Sequence, residues 1–161
     1  MDTQGLDRAI HLETVVEASR HDVWEAWTTE DGARTFFAPL CKIELRVGGP
    51  YEMYFNLNAR PGERGGEGLT ILALQPEQML SVTWNAPPEM GAMRSQHTHL
   101  VIRFIPVDEG HTRVTLHHDG WGRASEWDQV YEYFVLAWGK VVLPRLQRRF
   151  AGGGPIDWNQ L

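Results

Sequence analysis

Residues 125–150 read SEWDQVYEYFVLAWGKVVLPRLQRRF, and this stretch decides the fold. Its large apolar residues recur at three- and four-residue steps, the spacing of one face of an α-helix. The pattern therefore predicts a long C-terminal helix, which Gly152-Gly153-Gly154-Pro155 ends. Pro144 lies inside the pattern and predicts a kink, because proline has no N–H to donate. The stripe consists of Trp127, Val130, Tyr131, Phe134, Trp138, Val141, Val142 and Leu146.

The residues upstream of this helix, from 42 to 118, alternate between apolar and polar side chains as β-strands do. The clearest hairpin is KIELRV (42–47) and YEMYFNL (51–57) around Gly48-Gly49. Further strands are predicted at 68–74 and 79–85, and then at 97–105 and 112–118 around the loop Asp108-Glu109-Gly110. So many consecutive strands predict one curved antiparallel sheet of about six or seven strands.

The N-terminal part supplies one more strand and two short helices. IHLETVV (10–16) reads as a strand, Ser19 as the N-cap of RHDVWEAWT, and Thr29 as the N-cap of EDGARTFF, which Pro39 must end. The fold class is therefore α+β, with the sheet wrapped around the C-terminal helix and an apolar pocket between them. We expect a single domain over 1–161, with a core at about 10–150 and a tail at 151–161.

Bulk properties exclude several classes of function. The formal charge of −6 argues against binding to nucleic acid or to an anionic membrane. A single cysteine, Cys41, excludes an internal disulfide framework, and its place at a strand start suggests a small buried hydrophobe rather than a nucleophile. The N-terminal residues show no signal peptide, and no apolar run reaches the roughly 18 residues of a membrane span. A cytoplasmic protein is expected.

A resemblance to a known family is carried by the helix around Trp138 and by four segments before it: 16–39 (VEASRHDVWEAWTTEDGARTFFAP), 43–55 (IELRVGGPYEMYF), 67–84 (EGLTILALQPEQMLSVTW) and 112–121 (TRVTLHHDGW). In this order they resemble the START-like helix-grip (SRPBCC) superfamily. Within it they look most like the bacterial proteins related to the C-terminal domain of the heat-shock protein 90 ATPase activator. Three departures stand out: Phe36-Phe37 replaces the usual Trp-Phe pair, Pro144 interrupts the helix, and Trp121 replaces a phenylalanine.

The resemblance implies a hydrophobic cavity between the helix and the sheet. For any one large apolar residue, simple packing is the commoner role. As a set, those that the pattern turns inward are the candidate ligand-binding residues, and the buried polar ones among them need hydrogen-bond partners that a ligand would supply. The candidates are Phe36, Tyr51, Met53, Phe55, Trp84, Leu100, His118, Trp121, Tyr131, Phe134 and Trp138.

Histidines are concentrated near the last hairpin, at His97, His99, His111, His117 and His118. The predicted register places His99 opposite Asp119, with both pointing away from the pocket. This spacing is common on solvated strands, so we predict no metal site and no cofactor. His118 points the other way, matches a histidine of the family and has the chemistry of a general base.

No catalytic motif was found, since the chain has no nucleophile elbow, phosphate loop or metalloprotease helix. Arg145, Arg148 and Arg149 are more simply charges at a helix end than an anion clamp. The sequence therefore favours a protein that binds an apolar or lipid-like small molecule. A cyclase- or hydratase-like enzyme and a chaperone-interaction module remain alternatives, and the oligomeric state is open, a homodimer included.

Overall fold

The computed structural model describes residues 8–161, in which eight strands form two antiparallel sheets. The larger sheet has the order β1-β8-β7-β6-β5 and the smaller one the order β2-β3-β4. The strands are β1 (Ile10–Val16), β2 (Leu40–Ile43), β3 (Tyr51–Tyr54), β4 (Gly65–Gly66), β5 (Ile71–Gln75), β6 (Met79–Trp84), β7 (Thr98–Asp108) and β8 (His111–Asp119).

The prediction of one continuous sheet was wrong in detail, because β2, β3 and β4 pair among themselves. The two sheets are nevertheless joined by backbone hydrogen bonds. Gly48 donates to Ile71 at 2.8 Å, and Ile71 donates to Gly49 at 2.9 Å. The strand predicted over 51–57 ends at Tyr54, because the chain turns through Asn56, whose Oδ1 accepts the N–H of Asn58 at 3.1 Å.

The two short helices begin at the predicted caps. The first, α1, covers Arg20–Thr28, and Ser19 Oγ accepts the N–H of Asp22 at 3.2 Å. The second, α2, covers Glu30–Ala33, and Thr29 Oγ1 accepts the N–H of Gly32 at 2.9 Å. Each cap satisfies one of the free N–H groups of a helix start.

The long C-terminal helix consists of α3 (Trp127–Leu136), a π-helical segment (Ala137–Val142) and α4 (Leu143–Arg148). The predicted interruption at Pro144 takes the form of this π segment: the N–H of Leu143 reaches back to the carbonyl of Trp138, five residues away. Pro144 then lies in the first turn of α4, where its missing N–H costs least. The helix therefore continues through a proline that would otherwise break it.

The helix follows strand β1 and covers the inner face of the larger sheet. Tyr131 Oη donates to the carbonyl of Ala9 at 3.4 Å, and Gln147 Nε2 donates to the carbonyl of Val15 at 3.3 Å. Phe134 and Trp138 are buried against the sheet, and Tyr131 is partly buried, as the predicted register requires. In residues 8–161 no helix is long and apolar enough to cross a membrane.

The C-terminal tail folds back onto the domain. After Arg148 a wide turn covers Arg149–Gly153, and a short 3₁₀ helix covers Trp158–Gln160. The N–H of Ile156 donates to the carbonyl of Thr35 at 2.9 Å, and Trp158 Nε1 donates to the carbonyl of Arg34 at 2.7 Å. These bonds attach the tail to the segment after α2.

Candidate functional site

Aromatic rings fill the space between the C-terminal helix and the sheet. The ring centroids of Trp84, from β6, and Trp138, from the helix, lie 5.4 Å apart. The ring centroid of Phe37 lies 5.8 Å from each of them. Phe134 stacks on Trp138 at 6.0 Å. The strands and the helix thus bring together residues far apart in sequence. We call this the aromatic cluster, formed by Phe37, Trp84, His118, Trp121, Phe134 and Trp138.

His118 is the polar centre of the aromatic cluster and is fully buried. Its Nε2 lies 2.7 Å from Thr98 Oγ1, and its Nδ1 accepts a hydrogen bond from Trp138 Nε1 at 3.0 Å. Burial, followed by the nearby histidines His117 and His99, lowers its pKa to about 3. With both ring nitrogens occupied and the ring held neutral, His118 has no free position from which to act as a general base.

The two tyrosines among the candidates also have protein partners. Tyr51 Oη donates to the carbonyl of Trp27 at 2.7 Å, and burial raises the pKa of its hydroxyl well above the ordinary value. The hydroxyl of Tyr131 donates to the carbonyl of Ala9, and the guanidinium of Arg8 lies 4.4 Å from its ring centroid. The expectation that these hydroxyl groups need a ligand is therefore not supported by the structure.

Trp121 differs from the other polar candidates. Its side chain is buried, with the ring 4.3 Å from His118 and 5.5 Å from Tyr131. Its Nε1 has no hydrogen-bond acceptor in the part of the chain that the structure describes. Leaving such a donor unpaired costs about 1–3 kcal/mol, so a ligand acceptor at this atom would be stabilising.

The remaining candidates occupy three environments. Met53 and Leu100 are fully buried core residues. Phe36 is also fully buried, and its ring lies 5.0 Å from Trp27, on the side of the short helices. Phe55 lies just beyond the end of β3, is 45% exposed and has its ring 6.2 Å from Phe37. Phe55 is therefore the candidate at the surface.

The cleft at Phe55 has a volume of about 430 Å³, within the usual range for small-molecule sites. We call it the mouth cleft. Its walls are the loop after β3, the 3₁₀ helix Pro88–Met93 and α3, and its lining residues are Phe55, Asn56, Ala59, Glu63, Arg64, Gly65, Pro88, Glu89 and Tyr133. Phe55 connects it to the aromatic cluster through Phe37.

Sequence reasoning missed Tyr133 at this site. It lies on α3, 41% exposed, with its ring 5.0 Å from Phe134, and partial burial together with Glu89 raises its pKa. Tyr133 lies one position away from the apolar stripe of the helix, so the sequence pattern indicates an ordinary exposed residue there. Phe37 is not among the residues that the pattern turns inward, although its ring packs against those of Phe55, Trp84 and Trp138.

One arginine holds the loop that forms the cleft wall. Arg94 donates to the carbonyls of Ala86 at 2.6 Å, Gly62 at 2.9 Å and Gly65 at 2.9 Å. The carboxylate of Glu67 accepts the N–H of Arg64 at 2.6 Å and also that of Gly62. Because side chains satisfy the loop's backbone groups, the mouth cleft is preorganised.

The outer face of the larger sheet carries histidines rather than an apolar patch. His99 pairs with Asp119 as predicted, and the ring of His117 lies 5.9 Å from that of His11. A nitrogen of His117 lies 3.3 Å from a carboxylate oxygen of Asp119. Within residues 8–161 no group of three or more histidine, cysteine or acidic side chains is placed to hold a metal ion.

Cys41 is a buried thiol, as the sequence indicated. Its Sγ lies 3.6 Å from the carbonyl of Glu30, and burial, followed by the charge of Glu30, raises its pKa to about 11. A thiol with so high a pKa is not an activated nucleophile.

The antiparallel sheet gripping a long C-terminal helix defines a protein of the helix-grip class. The model of the "Activator of Hsp90 ATPase homolog 1-like protein" family matches residues 17–151, and the chain belongs to that family. Curated proteins give no match.

Solved structures share the fold at low identity. An HSP90 activator from Plasmodium falciparum has a TM-score of 0.64 at 15% identity, covering 86% of this chain and 92% of that one. The Aha1 dimer from Colwellia psychrerythraea has a TM-score of 0.68 at 19% identity, covering 91% and 98%. CalU16 from Micromonospora echinospora has a TM-score of 0.66 at 20% identity, covering 92% and 77%. At these identities the likeness concerns the fold alone.

Proposed function

We propose that this protein binds a flat or elongated apolar small molecule in the mouth cleft, against Phe55 and Tyr133 and beside the buried aromatic cluster. The observation that carries the proposal is the continuity of aromatic rings from the half-exposed Phe55 through Phe37 to Trp84 and Trp138. A cleft of about 430 Å³ accommodates a drug-sized ligand. Phe55 and Tyr133 lie at its rim. Their rings have few rotatable bonds, so they bind flat ligands with little loss of side-chain entropy.

The candidate residues have different roles in this proposal. Phe55 and Tyr133 line the cleft and contact the ligand, while the buried rings of Phe37 and Phe134 pack behind them and hold them in place. His118 and Tyr131 are not proposed as polar contacts, because their polar atoms already have partners. Trp121 Nε1 has no acceptor in the described residues, but Trp121 is buried and does not line the cleft. The polar groups that a ligand in the cleft would meet are those of lining residues such as Asn56 and Arg64.

The two alternatives receive less support from the geometry. An enzyme that uses His118 as its acid or base would need a free ring nitrogen, and both are hydrogen-bonded. A chaperone-interaction module would be favoured by an apolar patch on the outer sheet face. That face presents polar residues such as His11, Glu13 and Arg113, and Arg113 separates the exposed apolar side chains of Val15 and Ile105.

A neutral apolar dye such as Nile red tests the proposal. The native protein should bind the dye saturably, enhance its emission and lose tryptophan fluorescence. Phe55→Ala and Tyr133→Ala should each weaken binding several-fold without unfolding the chain, because both residues are at the surface. Native mass spectrometry of freshly purified protein should show a ligand retained from the host.

The matched control is Ile105→Ala, which removes a 41% exposed side chain from β7, away from the mouth cleft. This variant should bind the dye like the parent protein. The proposal would be abandoned if the native protein took up no dye, or if Ile105→Ala weakened binding as much as Phe55→Ala.

A further inference from the structure

A second pocket lies at the C-terminal end of the long helix, where the tail folds back. It has a volume of about 260 Å³. Its walls are Thr35, the arginines Arg145, Arg148 and Arg149, and the tail segment 153–157. We call it the arginine pocket. At spacings of three and four residues the arginines share one helix face, so all three border the same space.

These arginines are not neutralised by nearby acids. In residues 8–161 none of the three forms an ion pair with a carboxylate. Asp157 also borders the pocket, and its Oδ1 accepts the N–H of Asn159 at 3.0 Å. Arg149 borders a neighbouring groove lined by Asp22 and Glu25, but it bonds to neither of them.

Two of the guanidinium groups, those of Arg145 and Arg149, pack on aromatic rings rather than forming ion pairs, and Arg148 is exposed. That of Arg145 lies 5.3 Å from the ring centroid of Trp158, and that of Arg149 lies 5.0 Å from that of Phe150. Arg149 Nε is buried and has no acceptor among the described residues. Burial, followed by the charge of Arg148, lowers the pKa of Arg145, as expected when like charges lie close together.

The tail closes the pocket in a fixed conformation. Gly152 and Gly154 have φ values of +89° and +65°, a region that favours glycine. At Gly153 an added Cβ would lie 2.6 Å from the carbonyl oxygen of Arg148. Glycines at all three positions thus permit the turn, which leads to the hydrogen bonds of Ile156 and Trp158. The tail's glycines and hydrogen bonds therefore define the shape of the pocket.

From this arrangement we infer that the arginine pocket binds a small phosphate-bearing anion, with Arg148 and Arg149 as its principal contacts. Guanidinium groups bind phosphate oxygens through paired N–H donors, and a dianion offsets several positive charges at once. The anion would also supply an acceptor for Arg149 Nε. This site is separate from the mouth cleft, and its proposed ligand is a charged anion rather than an apolar molecule. The helix-dipole explanation alone does not account for three arginines converging on one pocket.

Isothermal titration with inorganic phosphate, at ionic strength held constant with chloride, tests the inference. The parent protein should bind one phosphate saturably, and Arg148→Gln and Arg149→Gln should each weaken binding at least tenfold. Arg148 is exposed, so its replacement should leave the circular dichroism spectrum unchanged even if Arg149→Gln perturbs the fold. Arg113→Gln, which removes an exposed arginine of β8, is the matched control and should bind phosphate normally.

Vesicles separate the two sources of such a phosphate. Phosphatidylcholine vesicles containing phosphatidic acid should retain the protein if the group belongs to a lipid, and free phosphate should then compete. If these vesicles do not retain the protein but free phosphate binds saturably, the pocket takes a soluble phosphate. The inference is overturned if free phosphate does not bind saturably and the vesicles do not retain the protein, or if Arg113→Gln weakens binding as much as Arg148→Gln.

Discussion

The aromatic cluster and the mouth cleft are built from the same kinds of residue, but their side chains face different surroundings. In the cluster, His118 and Trp138 are hydrogen-bonded to each other and buried. At the cleft, Phe55 and Tyr133 are 45% and 41% exposed. Removing atoms from the cluster therefore costs stability, whereas removing them at the cleft should cost mainly binding. An inventory of aromatic residues alone does not distinguish these two roles.

The largest expected effect separates two residues of the same helix. Trp138→Ala removes a buried ring and leaves the Nδ1 of His118 without its donor, so the free energy of unfolding should fall by about 3–5 kcal/mol. Leu136→Ala removes a side chain that is 58% exposed and should change it by less than about 0.5 kcal/mol. Urea denaturation of both variants measures the difference. Equal losses would contradict the helix orientation described above.

A smaller effect comes from the protonation of His118. Its pKa is lowered from 6.5 to about 3 in the folded protein, so below pH 6.5 the unfolded chain takes up a proton that the folded chain does not. Stability is then complete above pH 6.5 and falls as the pH decreases towards 3. Between pH 7 and pH 5 we expect a loss of about 2 kcal/mol from this residue.

Urea denaturation at several pH values checks this expectation, with His118→Gln for comparison. The variant should be less stable at pH 7 but should show a shallower loss between pH 7 and pH 5. If the parent protein and the variant had the same pH dependence, His118 would not be the group responsible.

The smallest of the three effects concerns the wall of the cleft. Arg94→Gln removes donors from the carbonyls of Ala86, Gly62 and Gly65, so local opening of the loop should become easier by about 1–2 kcal/mol. Hydrogen exchange of the amides in 60–68 should quicken accordingly. Arg60→Gln, which alters an exposed ion pair with Glu63, is the control and should leave exchange unchanged. Similar exchange in the two variants would show that Arg94 does not hold the loop.

Much of the architecture could be predicted from short-range patterns. The caps at Ser19 and Thr29 and the pairing of His99 with Asp119 are as expected, because capping and strand register depend on residues close together in sequence. The division of the sheet was not predicted. It depends on the early end of β3 at Tyr54 and on the pairing of β2, β3 and β4 among themselves, which the alternation of apolar and polar residues does not specify.

The sequence by itself determined which residues are apolar, which strands alternate and where the long helix had to be interrupted. Tertiary structure alone decided which polar atoms found partners: Trp138 satisfies His118, whereas Trp121 Nε1 has no acceptor among residues 8–161. Tertiary structure also placed three arginines of the helix end in the lining of one pocket. That pocket forms only because the tail returns to Thr35 and covers it. The physical reason is that periodicity specifies the face on which a side chain lies, while its partners depend on how separate elements meet in space.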